Sequence, residues 1–102
     1  MTFARVATYS VKKDSIEELT RRVNERLIPL YKEQQGFQSF SVVDAGDTVV
    51  SISRWDSDEH AQEGGRAAIG WAKEQSDLME GSPVSTHFGT EIVSVDSAAV
   101  PA

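Results

Sequence analysis

The residues of this sequence whose types could do chemistry are two histidines, an arginine close to the start and a set of aromatic side chains. His60 follows Asp58 and Glu59, so a neighbouring carboxylate could support its charge while the imidazole works as a general base. The same position also suits an exposed polar group near a helix start. His87 sits between Thr86 and Phe88 near the end of the chain. If it faces a ligand cavity it is the best catalytic base on offer. If it faces the other way it lies in a seam or on the surface, and a register slip of one residue exchanges the two. The histidines stand far apart on different elements, without an H-x-x-x-H pair or a carboxylate-rich loop, so no metal site is expected.

Arg5 and Tyr9 share a period-two face with Phe3, Ala7 and Val11. A buried guanidinium requires an anionic partner, which leaves a core carboxylate, an interface carboxylate or an acidic ligand for Arg5. Arg54 and Arg66 read as solvated or interface charges. Trp71, Trp55, Tyr9, Phe3 and Tyr31 supply aromatic walls. Each serves for core packing, and together they could line a pocket for a small hydrophobic or aromatic ligand, with Arg5, Tyr9, Trp71 and His60 as its binding residues.

Composition removes several classes of function. The chain has no cysteine, which excludes disulfides, thiolate catalysis and Cys-built metal clusters. No G-x-G-x-x-G, Walker loop or nucleophile elbow is present, so no flavin, nucleotide or other cofactor is expected. Sixteen acidic against ten basic residues give a net charge of −6. That disfavours nucleic acid, whose phosphates need a basic face, and an anionic membrane surface. No apolar run is long enough to span a bilayer, and Met1 to Arg5 do not resemble a secretory leader; a cytoplasmic location is the expectation.

The elements that position these residues follow from patterning. Phe3 to Val11 reads as a strand. Ile16, Leu19, Val23, Leu27 and Leu30 make one helical stripe, preceded by Asp14 and Ser15 in capping-box spacing with Glu17 and Glu18. Pro29 falls within that stripe and predicts a kink or break near Leu27, and Gly36 ends the helix. Phe37–Val43 and Thr48–Trp55 read as two strands joined by the turn residues Asp44 to Asp47. In the first of them Phe37, Ser39, Ser41 and Val43 alternate with Gln38, Phe40 and Val42; in the second, Val49 and Trp55 oppose Val50 and Ile52. A second helix opens at Asp56, with Glu59 three residues on, and reads to about Met79, with Gly64 and Gly65 inside it. Val84 to Val95 forms the last strand, and Asp96 to Ala102 a mobile tail.

The order β-α-β-β-α-β specifies an α+β, ferredoxin-like fold, a four-stranded antiparallel sheet with two helices on one face, as a single domain over residues 1–95. Both faces of the middle strands carry apolar groups, yet helices can cover only one. A homodimer through the other sheet face is therefore expected.

Three stretches carry a resemblance: Pro29-Leu30-Tyr31 with Gly36-Phe37, the hairpin from Ser39 to Trp55, and Trp55-Asp56-Ser57-Asp58-Glu59-His60-Ala61. In these the chain resembles the antibiotic-biosynthesis-monooxygenase-like group of the dimeric α+β barrel superfamily, from Phe3 to Val95. The resemblance implies two sheets packed face to face and a ligand cavity between sheet and helices. It implies cofactor-independent monooxygenation or binding of an aromatic or polyketide-like molecule, with a non-catalytic, regulatory binding dimer as the alternative. The haem-degrading branch of the superfamily carries Asn, Trp and His at positions that align here with Ala7, Glu63 and Lys73, which disfavours haem degradation.

Overall fold

A computed structural model of the chain describes residues 1–95; the tail from 96 to 102 lies outside the described residues. Four strands, β1 (Phe3–Ser10), β2 (Phe37–Asp44), β3 (Thr48–Trp55) and β4 (Ser85–Thr90), form one antiparallel sheet in the order β2-β3-β1-β4. Two helices pack on one face, the split βαβ arrangement expected from the element order.

The first helix is contiguous from Ile16 to Lys32 but changes pitch on the way. Ile16–Arg22 and Ile28–Lys32 are α-helical, and between them the Ile28 amide donates to the Val23 carbonyl, five residues back. Pro29 has no amide to give and its ring crowds the carbonyl four residues earlier. The wider turn just before it absorbs that conflict, so the helix continues where a kink or break is expected. Leu19, Leu27 and Tyr31 are its buried contributions to the core. The chain leaves this helix through Gly36, whose φ of 78° is open to glycine but costly for other residues.

The second helix, Asp58–Lys73, begins on Ser57, whose hydroxyl accepts from the His60 amide. The expected Asp56–Glu59 box does not form; the Asp56 carboxylate bonds the His60 imidazole instead. Ser15 likewise makes no cap, and Glu18 is held by Arg21 and Arg22. The helix stops at Lys73, short of Met79, because the following residues turn back onto β1: the Leu78 carbonyl accepts from the Lys12 amide, and the Glu80 amide donates to Ser10. Leu78 and Met79 thus look like a continuing helical stripe while acting as an extended contact.

Alternation sorts β1 and β3 cleanly. Arg5, Ala7, Tyr9, Val49, Ser51, Ser53 and Trp55 are buried under the helices, and the residues between them face the open side. In β2 a bulge between Phe37 and Ser39 changes the phase. Phe37 therefore joins Phe40 and Val42 on the helix side, opposite to its simple alternation with Ser39 and Ser41. Tyr31, Phe37, Phe40 and Trp55 meet there as an aromatic cluster, with ring centroids 4.7 to 5.5 Å apart. The last strand ends at Thr90 rather than Val95. Among the described residues no helix is long and apolar enough to cross a membrane.

Candidate functional site

Between sheet and helices, β1 carries a guanidinium into the core. Arg5 is 1% exposed. Its Nη2 donates to the Tyr9 hydroxyl at 3.0 Å, its Nε has no acceptor, and no carboxylate of the described residues pairs with it. Of the three partners open to Arg5 from sequence, a core carboxylate is thereby removed for the described residues of one chain. The second helix makes room for the group by omitting side chains. A Cβ at Gly65 would lie 2.8 Å from Arg5 Nε, and one at Gly64 would overlap the Trp55 ring. These two glycines cost the helix about 1 kcal/mol each relative to alanine, and they allow it to lie directly on Arg5 and Trp55.

Around Arg5 the buried polar groups are hydroxyls. Ser53 accepts from Trp55 Nε1 at 2.9 Å, and Ser51 donates to the Ala7 carbonyl. Burial pushes the Tyr31 phenol up to about 12, although the nearby Arg5 charge opposes that shift. Tyr31 therefore stays protonated near neutral pH. The sequence pattern does not single out Ser51 or Ser53 for the site. Their period-two phase with Val49 and Trp55 is the signal that places them inward.

Tyr9, Ser51 and Tyr31 also line an inner cavity of about 40 Å³, closed on its helix side by Trp71, Ala68 and Ala72. Trp71 Nε1 is buried and has no acceptor among the described residues. Outward from this cavity, between the first helix and edge strand β2, runs a cleft of about 280 Å³. Leu19, Val23, Phe40, Val42 and Val49 line both spaces, so the cleft leads to the cavity. Thr20, Asn24 and Asp44 give the cleft polar groups. Its volume approaches the lower end of the roughly 300–1,000 Å³ usual for small-molecule sites.

The histidines lie elsewhere. His87 pairs across the sheet with Val6, not with Arg5 or Ala7, which puts it on the open face. There it borders a shallow groove with Ala4, Val6, Ile52 and Arg54. It does not share the cavity of Tyr9 and Trp71, which Arg5 does not line either, being buried behind Tyr9 against Gly65; the register that one sequence leaves open is decided by the pairing of His87 with β1. His60 stands at the start of the second helix, bonded to Asp56 and packed near Gly36. The hydrogen bond from Asp56 raises the imidazole pKa, and the same bond lowers that of the carboxyl. This pair is local to the entry of the second helix, where the Asp56 amide also donates to the Gly36 carbonyl, away from the inner cavity. No cluster of three or more metal-ligating side chains occurs among the described residues.

Residues 2–63, from β1 to the first turns of the second helix, match the sequence profile of the family described as Antibiotic biosynthesis monooxygenase. The chain belongs to that family. The three stretches that carry the resemblance in sequence all fall within the match. No curated protein matches the sequence. Among solved structures, the fold is similar to that of the ActVA-Orf6 monooxygenase of Streptomyces coelicolor, determined with the ligand nanaomycin D (19% identity, TM-score 0.71, covering 98% of this chain and 92% of that one). SnoaB, a cofactor-independent oxygenase from Streptomyces nogalater, is similar at 14% identity and a TM-score of 0.68, covering 92% and 96%. So is NE2512 of Nitrosomonas europaea, a protein of unknown function, at 14% identity and a TM-score of 0.72, covering 99% and 95%. At such identities the structural likenesses establish the family's fold and leave the chemistry to the site.

Proposed function

We propose that this member of the antibiotic biosynthesis monooxygenase family binds a small aromatic, polyketide-like molecule between its helices and sheet and oxygenates it without a cofactor. The observation that carries the reading is the apolar cleft leading to a cavity lined by Tyr9 and Trp71, where the buried Trp71 Nε1 finds no acceptor among the described residues. A buried donor without a partner is destabilising, and a ligand with an oxygen acceptor would satisfy the one on Trp71. The family match and the likeness to two oxygenases add support. In such a reaction an activated ring CH₂ becomes C=O. One atom of dioxygen enters the product, the other leaves as water, and all four electrons come from the substrate. Tyr9 and Trp71 would hold the ring oxygens while the apolar walls keep water out.

A second reading, binding without turnover, is favoured by the lining itself. The inner cavity has no imidazole or carboxylate to take a proton, and Tyr31 is too weak an acid to cycle near neutrality. An oxygen electrode and tryptophan fluorescence, applied to the protein with a panel of quinols and anthrones in air, separate the two. Quenching with oxygen uptake supports the oxygenase, and quenching without uptake supports the binder. Neither signal across the panel rejects both.

We further propose that the working unit is a homodimer through the open sheet face, where Val6, Ile52 and Val50 are apolar and no helix covers them. In that assembly His87 lies in the seam, and any catalytic part for it belongs to a site there. Sedimentation showing only monomer at high concentration would contradict the dimer.

A further inference from the structure

Asp44 sits where the alternation of β2 calls for an apolar side chain. After the bulge the inward positions of this strand are Phe40, Val42 and Asp44, and all three line the cleft beside the first helix. Asp44 pairs across the ladder with Val49, which borders both the cleft and the inner cavity. One carboxylate oxygen, Oδ1, accepts from the Gly46 amide at 3.0 Å and shapes the hairpin turn. An asparagine would serve that turn equally well, so the turn explains the side-chain oxygen and not the charge. The second oxygen has no donor among the described residues, and Asp44 forms no ion pair with them.

The two other polar side chains of the cleft are committed in the same sense. Thr20 gives its hydroxyl hydrogen to the Ile16 carbonyl at 2.7 Å, and Asn24 turns its amide nitrogen to the Thr20 carbonyl at 3.0 Å. A hydroxyl whose hydrogen is committed keeps acceptor lone pairs, and an amide keeps its oxygen. Thr20, Asn24 and Asp44 are exposed and border the cleft but not the cavity, which puts them at its outer end. There they offer acceptors against an otherwise apolar wall, and one of them carries a full negative charge. We infer that the cleft selects a ligand whose outer end carries a protonated amine, with Asp44 as its counter-charge and specificity-determining residue. The inference rests on the ligand site proposed above and names the chemistry at the far end of its occupant. The ring passes inward beside Val23 and Phe40, and the ammonium stays at the mouth.

No cation of the described residues takes that place. On the first helix Arg21 is held by Glu18 and Glu25, and Arg22 by Glu18 and Asp77, and neither arginine lines the cleft. Beyond the end of β1, Lys12 donates its ammonium to the Ser76 carbonyl and, with Lys13, borders a separate groove that includes Gly46 and Asp47. From β3 the cleft receives Val49. Asp44 is thus the one charged side chain lining the cleft among the described residues, and the net charge of −6 adds a field of the same sign.

The probes share one ring and differ in charge: 1-naphthylmethylamine, a cation at neutral pH, 1-naphthylmethanol, which is neutral, and 1-naphthoate, an anion. Dissociation constants are read from amide chemical-shift titrations of the intact chain at low ionic strength. The ammonium is expected to bind about three- to fivefold tighter than the alcohol, the span of a single solvent-accessible ion pair. The carboxylate should bind weakest, and the shifts should include Asn24 and Asp44. Asp44→Asn keeps the turn acceptor and removes the charge, so the ratio of ammonium to alcohol affinity should fall to about one. Asn24→Asp adds a carboxylate to the mouth and should widen the ratio. Equal affinities for ammonium and alcohol in the native protein, or a ratio that survives Asp44→Asn, overturn the inference and leave the ligand site standing. Failure of all three probes to bind overturns the ligand site as well. If Asp44→Asn does not fold, a salt series on the native chain decides: the ratio should approach one near about 1 M salt, where charges are screened within a few ångströms, and a ratio indifferent to salt overturns the inference.

Discussion

The two faces of the sheet are built from the same strands, one residue apart, and they have been put to opposite uses. Under the helices lie Arg5, Tyr9, Ser51, Ser53 and Trp55, a largely polar and aromatic set buried to a few per cent exposure. On the other side lie Ala4, Val6, Val50 and Ile52, mostly aliphatic and only half-buried. Ordinary burial would reverse this arrangement, since aliphatic groups gain most from leaving water and unpaired polar groups lose most. The covered face therefore carries a stability cost that packing alone does not explain, and the uncovered face has stabilisation still to gain. The proposed ligand site draws on the first and the proposed dimer on the second.

Adjacent substitutions on β3 probe the contrast most sharply. Val49→Glu places an unpaired carboxylate in the core beneath the first helix and should cost about 4 kcal/mol or more, enough to abolish cooperative unfolding by circular dichroism. Val50→Glu, one residue along, should leave the secondary structure intact and instead abolish association, read as a halved mass by sedimentation equilibrium. A folded Val49→Glu protein, or an unfolded Val50→Glu one, would erase the distinction between the faces.

The second helix offers a milder version of the same test. Gly64→Val drives a branched side chain into the Trp55 ring and should cost about 3 kcal/mol, lowering Tm by roughly 12–24 °C in a domain of this size. Gly70 faces open space, with nothing within 4 Å of the point where a Cβ would stand. Gly70→Ala should raise stability by up to about 1 kcal/mol, measured as a small upward shift in the denaturation midpoint.

The smallest effect is expected at the Asp56–His60 pair, which fastens the helix layer at the sheet's end. The imidazole pKa is raised above 6.5, so its contribution is complete below that pH and is lost as pH climbs through the raised value. The carboxyl is held below 3.8, so its contribution is present above that pH and is lost as pH falls through the lowered value. The Tm difference between the native protein and Asp56→Asn should therefore peak between pH 3.8 and 6.5 and shrink on either side. A difference that is flat across this range would show that the pair does not hold the layer in place.

Much of the fold is legible in the amino-acid order because it depends on local patterning. The Ile16–Leu30 stripe, the hairpin turn at Asp44–Asp47 and the opposition of Val49 and Trp55 to Val50 and Ile52 all read directly. That Arg5 and Tyr9 share one face of β1 is legible as well, through period. What is not legible depends on pairing between distant segments. The bulge that turns Phe37 inward is a mismatch between β2 and β3 and exists in neither strand alone. The face of His87 is set by its pairing with Val6, near the opposite end of the chain. The end of the second helix is set by β1 capturing Leu78 and Glu80. The missing counter-charge of Arg5 is a property of everything around it, which no motif encodes.

The wide turn of the first helix, where Ile28 bonds back to Val23, has the arithmetic of a single added residue. Relative to an unbroken α-helix, everything beyond it is offset by about 100° around the axis. That offset aims Tyr31 at Trp55 and Phe37 while Leu19 and Val23, on the turn before, still border the cleft. Deleting any one of the exposed residues Asn24, Glu25 or Arg26 would give a more regular helix and a poorer fit, because the aromatic cluster and the cleft wall would no longer both face the sheet. Length in this helix is thus a form of alignment, since its two ends agree on one sheet only through one residue that regular geometry would omit.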